Sequence, residues 1–224
     1  MRILLPVIST AIAALALSAS AAAAPAPSQL LLDVDFAPRD VAQVEVGDFH
    51  FRPGQLAPVH THAAPAIGYV SKGTIYYQVE GMPAQILKAG DAFYEPVGPR
   101  ILHFDNASKT QEAVFTDFNL EQAGEPFIVF DHPPSEKIDR RTFPTAALRV
   151  SGVQHARAEA IRLPAGHSLA ATGNAMVGYV ASGSVRIGGR IVQKGQTLSL
   201  AAGQPSRIVA GSKGATVIAF TINN

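Results

Sequence analysis

The sequence predicts an all-β protein made of two copies of one antiparallel unit, each a sandwich or a barrel. Three observations lead there. From Val41 onward, short runs rich in β-branched and aromatic residues are bounded by Gly, Pro, Asn or Asp, the pattern of strands closed by turns. No stretch after the first 24 residues carries a convincing long helical period. The second half also repeats the first: Gly68-Tyr69-Val70-Ser71-Lys72-Gly73 matches Gly178-Tyr179-Val180-Ala181-Ser182-Gly183.

The chain opens with a segment to set apart. Met1-Arg2 is a short positive start, Ile3 to Leu17 is apolar, and Ala22-Ala23-Ala24 before Pro25 fits a small-residue cleavage site. Residues 1–24 are therefore expected to be a cleaved signal peptide, the apolar part being short of the roughly 20 residues a membrane span needs. Export to the periplasm or the medium follows as an expectation, with no membrane association after cleavage. Losing Arg2 takes Lys plus Arg from 18 to 17, against 17 Asp plus Glu. That balance gives no basic excess for nucleic acid or anionic lipid. With no cysteine in the chain, stability must come from packing.

A leader over 25–40 precedes the first unit, 41–130. Val41 to Val46 alternates apolar with polar or small residues, and Phe49 to Arg52 continues one position out of step, so a bulge or break is expected at Gly47-Asp48. Strands are then expected at Ile67–Val70, Thr74–Val79, Ala84–Leu87, Ala92–Tyr94, Ile101–Phe104, Ala113–Leu120 and Phe127–Phe130. Residues 131–147, charged and proline-rich, read as a linker or a long surface excursion. The second unit, 148–224, repeats the strands at Ser184–Ile187, Thr197–Leu200, Arg207–Val209 and Thr216–Ile222. Gly90 and Gly98 stand eight apart, as do Gly195 and Gly203.

Chemistry concentrates in His60-Thr61-His62. On extended backbone these two imidazoles point to one side, half of a metal site for Fe, Zn, Mn, Ni or Cu. Aligned through Gly68 and Gly178, His60 falls on Ala170 and His62 on Thr172, so the second copy lacks the metal-type residues. Around the pair, Gly54, His60, His62 and Gly73 stand at the spacing of a first cupin motif. Gly90, Pro96 and Gly98 stand at that of a second. The chain thus resembles the cupin superfamily, closely over Val41 to Leu120 and as a degenerate copy over Val150 to Ile222. The resemblance implies a bicupin of two jelly-roll barrels, each a double-stranded β-helix.

Two positions depart from the family pattern. The glutamate that would be the carboxylate ligand falls on Ala66, and the last histidine falls on Ile101, with His103 two residues later. On a regular strand this displacement keeps the face but moves the side chain about 6.6 Å. Two site models follow. In one, His60, His62 and His103 hold a divalent transition metal with open positions, acting as a Lewis acid on an anionic ligand. In the other, His103 is too distant, metal binds weakly or not at all, and His60 and His62 line the pocket as donors. Glu95, beside Pro96 near the rim, is a candidate catalytic base or fourth ligand, set against an ordinary salt-bridged carboxylate.

Other residues are expected to be structural. Tyr69, Tyr76, Tyr77 and Tyr94 read as packing aromatics, and His50, His155 and His167 as core or surface histidines. His132 and the Arg140-Arg141 doublet read as solvated. Three functions stay open, the first two being a metal-dependent enzyme on a small anionic or enolisable molecule (dioxygenase, isomerase or lyase) and a module that binds or senses a small molecule or metal without turnover. A catalytically inert structural protein is the third. The second barrel is expected to pack against the first, to lie across its mouth, or to carry a homodimer contact.

Overall fold

A computed structural model describes residues 26–143, 148–170, 173–203 and 206–224. The expected signal peptide, and Thr172, lie outside the described residues. The first part of the chain runs through β1 (Ser28–Val41), β2 (Gln43–Phe51), β3 (His60–Thr61), β4 (Ala66–Lys72), β5 (Thr74–Val79), β6 (Gln85–Lys88), β7 (Ala92–Glu95), β8 (Ile101–Asn106), β9 (Ala113–Glu121) and β10 (Val129–Phe130). After β11 (Asp139–Thr142) come β12 (Val150–Leu163), β13 (Ser168–Ala170), β14 (Ala175–Ile187), β15 (Arg190–Gln193), β16 (Thr197–Leu200) and β17 (Arg207–Asn223). Among the described residues there is no helix, and the fold is all-β.

The first unit faces one sheet, ordered β11-β2-β9-β4-β7, against another, ordered β10-β3-β8-β5-β6. In the second unit the same path is drawn with fewer, longer strands: β1-β12-β17-β14-β15, with β13 on β17 and β16 on β14. The register of the repeat holds in space. Gly68 pairs with Phe93 and Asp117, and Gly178 pairs with Leu198 and Ala219. A side chain at Gly68 would place its Cβ 2.0 Å from the Phe93 ring, so glycine is what lets that ring fill the barrel. Gly73 and Gly183 both turn with positive φ and would drive a Cβ into backbone, 2.5 and 2.0 Å away.

Two strands cross between the units. β1, the stretch read as a leader, pairs antiparallel with β12 of the second unit. β11, inside the stretch read as a linker, pairs with β2 of the first. The bulge expected at Gly47-Asp48 is absent: β2 pairs with β9 without interruption from Gln43 to Phe51.

Strand alternation divides the apolar residues into three cores. Phe49, Val70, Phe93, Phe104 and Phe115 fill the first barrel. Val180, Val185, Leu198, Ile208 and Val217 fill the second. Val44, Ile67, Phe118, Val177 and Phe220 join the outer faces of the two barrels, with Phe118 and Phe220 ring centroids 4.8 Å apart.

Candidate metal centre

Parity decides which side chains enter the first barrel. In β4, Ile67 and Tyr69 face the second unit, so Ala66, Gly68 and Val70 face inward. By the same rule Phe93 and Glu95 of β7, and Phe115, Asp117 and Asn119 of β9, point into the barrel. β3 carries His60 between Ile101 of β8 and Phe130 of β10, and a bridge from His62 to Val97 holds the next turn of chain.

These elements bring His60, His62 and Glu95 together, all buried. One ligand atom from each lies within 4.8 Å of the others. His62 Nε2 is 3.2 Å from Glu95 Oε2, and His60 Nε2 is 3.7 Å from Glu95 Oε1. His60 Nδ1 donates to the Pro58 carbonyl at 2.8 Å, which fixes the tautomer and leaves the Nε2 lone pair pointing at the centre. Both His62 ring nitrogens and Glu95 Oε1 are buried without an aligned hydrogen-bond partner. Buried polar atoms left unpaired cost about 1–3 kcal/mol each. A divalent transition ion, taking two imidazoles and one carboxylate, satisfies this donor set.

Glu95 stands directly opposite Ala66 across the β4–β7 ladder. Opposed residues hold their Cβ atoms about 4.5–5.5 Å apart, so the neighbouring strand delivers a carboxylate to the space over Ala66. His103 is elsewhere. Gln78 pairs with His103 and Val79 with Ile101, so a bulge at Leu102 breaks the alternation. Ile101 is fully buried while the His103 side chain is 45% exposed, bonded to Asp105 at 2.7 Å and lying against the Tyr76 ring. The three-histidine set is therefore not what the fold assembles; Glu95 stands where His103 was expected to contribute.

The free space among these groups is about 30 Å³, room for a water or two. Ile128, Phe130 and Ile138 close it from outside, and Asp117 lines it beside Glu95. Burial opposes the charged form of His62, but the Glu95 carboxylate outweighs it and raises the imidazole to about 9. Burial likewise works against the Glu95 charge, yet His62 and then His60 hold this carboxyl well below its usual range. Burial, reinforced by the Glu95 charge, pushes Asp117 up to about 8. At neutral pH the metal-free centre is a His62 imidazolium facing a Glu95 carboxylate, with Asp117 as the neutral acid.

Asp117 and Asn119 escaped the sequence reading, which took Ala113–Leu120 as a strand only. Their signal is an acid and an amide two apart in a mostly apolar strand, hence on one face. Two of the other histidines have ordinary partners: His50 bonds Asp48 and Glu112, and His155 bonds Asp33 and Asn223. Of the arginine doublet, Arg141 is exposed. Arg140 pairs with Glu45 and lies 3.7 Å over the Phe127 ring.

The model of the cupin domain matches residues 47–119, which contain every residue of this centre. Residues 47–119 form a cupin domain. Beyond it the likeness to solved structures extends over both units. Salicylate 1,2-dioxygenase from Pseudaminobacter salicylatoxidans superposes with a TM-score of 0.56 at 14% identity, over 81% of this chain and 71% of that one. The bacterial pirin YhhW from Escherichia coli, solved in complex with nickel(II), gives 0.54 at 15% identity, over 79% and 80%. AerE from Microcystis aeruginosa gives 0.57 at 15% identity, over 84% and 98%. At these identities the likeness is one of fold. No curated protein sequence matches the chain.

Proposed function

We propose that the cupin domain binds one divalent transition metal through His60, His62 and Glu95 and acts as a metal-dependent oxidative enzyme, a dioxygenase, on a small anionic or enolisable molecule. The observation that carries this reading is the convergence of two imidazole nitrogens and a carboxylate on one buried point, with the remaining sides left to solvent-sized space. Two histidines and one carboxylate with open positions is the donor set of non-haem Fe(II) oxygenases. When bound, such an ion polarises an anionic or enolisable ligand and, if redox-active, supports reaction with O₂. Solved structures of the same fold include a dioxygenase with gentisate adducts and a nickel(II) complex, in keeping with metal and small anions as ligands.

Within this reading the chain's own residues divide the work. His60 and His62 supply neutral donors, and Glu95 lowers the net charge of a divalent centre by one. Asp117 is a neutral acid beside the centre, able to donate a hydrogen bond to an anionic ligand. A second reading, binding without turnover, is favoured by one observation: the space beside the ligands is only about 30 Å³, smaller than an aromatic or sugar-acid substrate. The signal-like residues 1–24 support export, which N-terminal sequencing of the mature protein from a periplasmic fraction tests.

Elemental analysis of purified protein tests the site. One metal per chain is expected, lost in His60→Ala and Glu95→Gln and kept in His103→Ala. No metal in the wild type after reconstitution with Fe(II), Zn, Mn, Ni or Cu sinks the proposal. Oxygen consumption by the loaded protein over phenols, diketones and sugar acids separates enzyme from binding module.

A further inference from the structure

Each metal-ligating histidine needs a partner for its second ring nitrogen, because that hydrogen bond fixes tautomer and ring orientation. For His60 the partner is the Pro58 carbonyl. For His62 no backbone acceptor is in line, and its Nδ1 is buried and unpaired. The side chain beside it is Asn119, which is fully buried. Its amide nitrogen donates to the Phe127 carbonyl at 2.6 Å. A carbonyl can only accept, so the NH₂ end of Asn119 is the one facing Phe127, and Oδ1 is left inside the barrel. That oxygen is also buried and without an aligned partner. A buried donor and a buried acceptor, both unpaired, therefore face the same barrel interior, and Asn119 is among the side chains near enough to His62 to act on it.

Two further observations assign the pair to the centre. Ala66 is flanked by Glu95 on β7 and by Asn119 on β9, so one small residue leaves room for both a ligand and its neighbour. In the second barrel, where the ligands are gone, the equivalent places hold Leu200 for Glu95, Ala219 for Asp117 and Thr221 for Asn119. Asn119 is replaced together with the metal-type residues, whereas the turn and packing glycines remain. Phe127 lies in the segment that leads into β10 and carries Ile128 and Phe130 over the cavity.

We propose that Asn119 is a positioning residue of the metal centre, its Oδ1 holding Nδ1–H of His62 and its amide tying that orientation to the Phe127 carbonyl of the capping segment. This rests on the reading of His60, His62 and Glu95 as metal ligands. The chain Phe127 carbonyl, Asn119, His62 connects the cap to the metal site, so displacing the cap loosens a ligand.

Calorimetric titration of metal-free protein with Ni(II) tests it. Asn119→Leu, which removes donor and acceptor at similar volume, is expected to weaken Ni(II) binding about 10–100-fold, the usual effect of losing a histidine's outer partner. Asn119→Asp keeps the acceptor for His62 but loses the donor to the Phe127 carbonyl, and is expected to bind Ni(II) more tightly than Asn119→Leu. Wild-type affinity in Asn119→Leu overturns the proposal, and so does an Asp variant as weak as the Leu one. Should the Leu variant not fold, Asn119→Ala gives the same comparison. A wild type that takes up no Ni(II) sinks the metal-site reading itself; a wild type that binds with an indifferent Asn119→Leu sinks only this inference.

Discussion

His62 and Glu95 face each other with opposite charges when no metal is present, and this sets the response of the centre to pH. A ligating His62 must first lose the proton it holds up to about pH 9. Apparent metal affinity is therefore expected to rise about tenfold per pH unit between 6 and 8, with roughly one proton released per ion in calorimetry across buffers. A flat profile would mean that His62 is not a ligand. Stability of the metal-free protein follows the opposite sign. His62 is raised from 6.5 to about 9, so its contribution is complete below 6.5 and lost as pH climbs through 9. Asp117, raised from 3.8 to about 8, keeps a proton that the unfolded chain gives up, and its term also falls with rising pH, between 3.8 and 8. Glu95 is depressed, so its contribution is present above 4.5 and lost only in stronger acid. With chelator present, melting temperature is expected to fall from pH 5 to pH 9, each group costing up to about 1.4 kcal/mol per pH unit in its window. Asp117→Asn should flatten the part below 6.5, and a melting temperature that climbs over this range contradicts the assignment. At this scale the sequence marked candidates for part of the site. His60 and His62 stood out because a spacing of two on a strand leaves one geometry, and Glu95 stood out as a candidate base or fourth ligand. The parity argument for His103 failed at Leu102, since a bulge adds one residue without any marker in composition.

The segment from Gln122 to Phe143 does more than join two units. Its β11 adds to β2, Arg140 anchors it through Glu45 and the Phe127 ring, and its apolar residues close the metal cavity. Ile138 borders three spaces at once: the 30 Å³ cavity, a groove of about 640 Å³ along Arg52–Val59, and another of about 480 Å³ past Pro134 and Lys137. Ile138 thus stands between the buried ligands and both outside grooves, with Pro58 beside it on one side and Ile128 and Phe130 on the other. Exposed ion pairs, Arg52 with Glu136 and Arg100 with Asp131, hold the outer part of this segment. Such pairs contribute about 0–1 kcal/mol each, so the cap can lift without unfolding the barrel. Ile138→Ala is expected to lower stability by about 1–2 kcal/mol, less than a fully buried isoleucine would, and to speed removal of bound Ni(II) by EDTA several-fold. Stopped-flow chelation measures this, and an unchanged rate would place the entry elsewhere. This element was not legible as a strand. Asp139-Arg140-Arg141-Thr142 has no apolar alternation, and its pairing is dictated by the open edge of β2 rather than by its own residues. The apolar strands β4, β5, β8 and β9 of the first unit, by contrast, were legible, whereas β1 and β12 were not.

At the scale of the molecule, the repeat made two units legible but not how they are joined. Sequence alternation marks a buried face without saying what buries it, so Val44, Ile67 and Phe118 read equally well as barrel interior. They instead form a third core with Val177 and Phe220, and β1 and β11 lace each unit's sheet to residues from outside it. The second barrel, without those ligands, still contributes most of that core, which backs the sheet carrying Glu95, Asp117 and Asn119. Shared burial and exchanged strands couple the units energetically, so neither can open without exposing the other's apolar face. Phe118→Ala is therefore expected to destabilise the whole chain by about 3–5 kcal/mol, with Phe220→Ala similar. Because the two rings touch, the double variant should lose less than the sum of the single losses. Urea unfolding followed by tyrosine fluorescence and by circular dichroism should give one coincident transition in the wild type. Two separate transitions, or additive losses in the double variant, would mean that the barrels are independent and that the ligand-free one lends the metal centre no support.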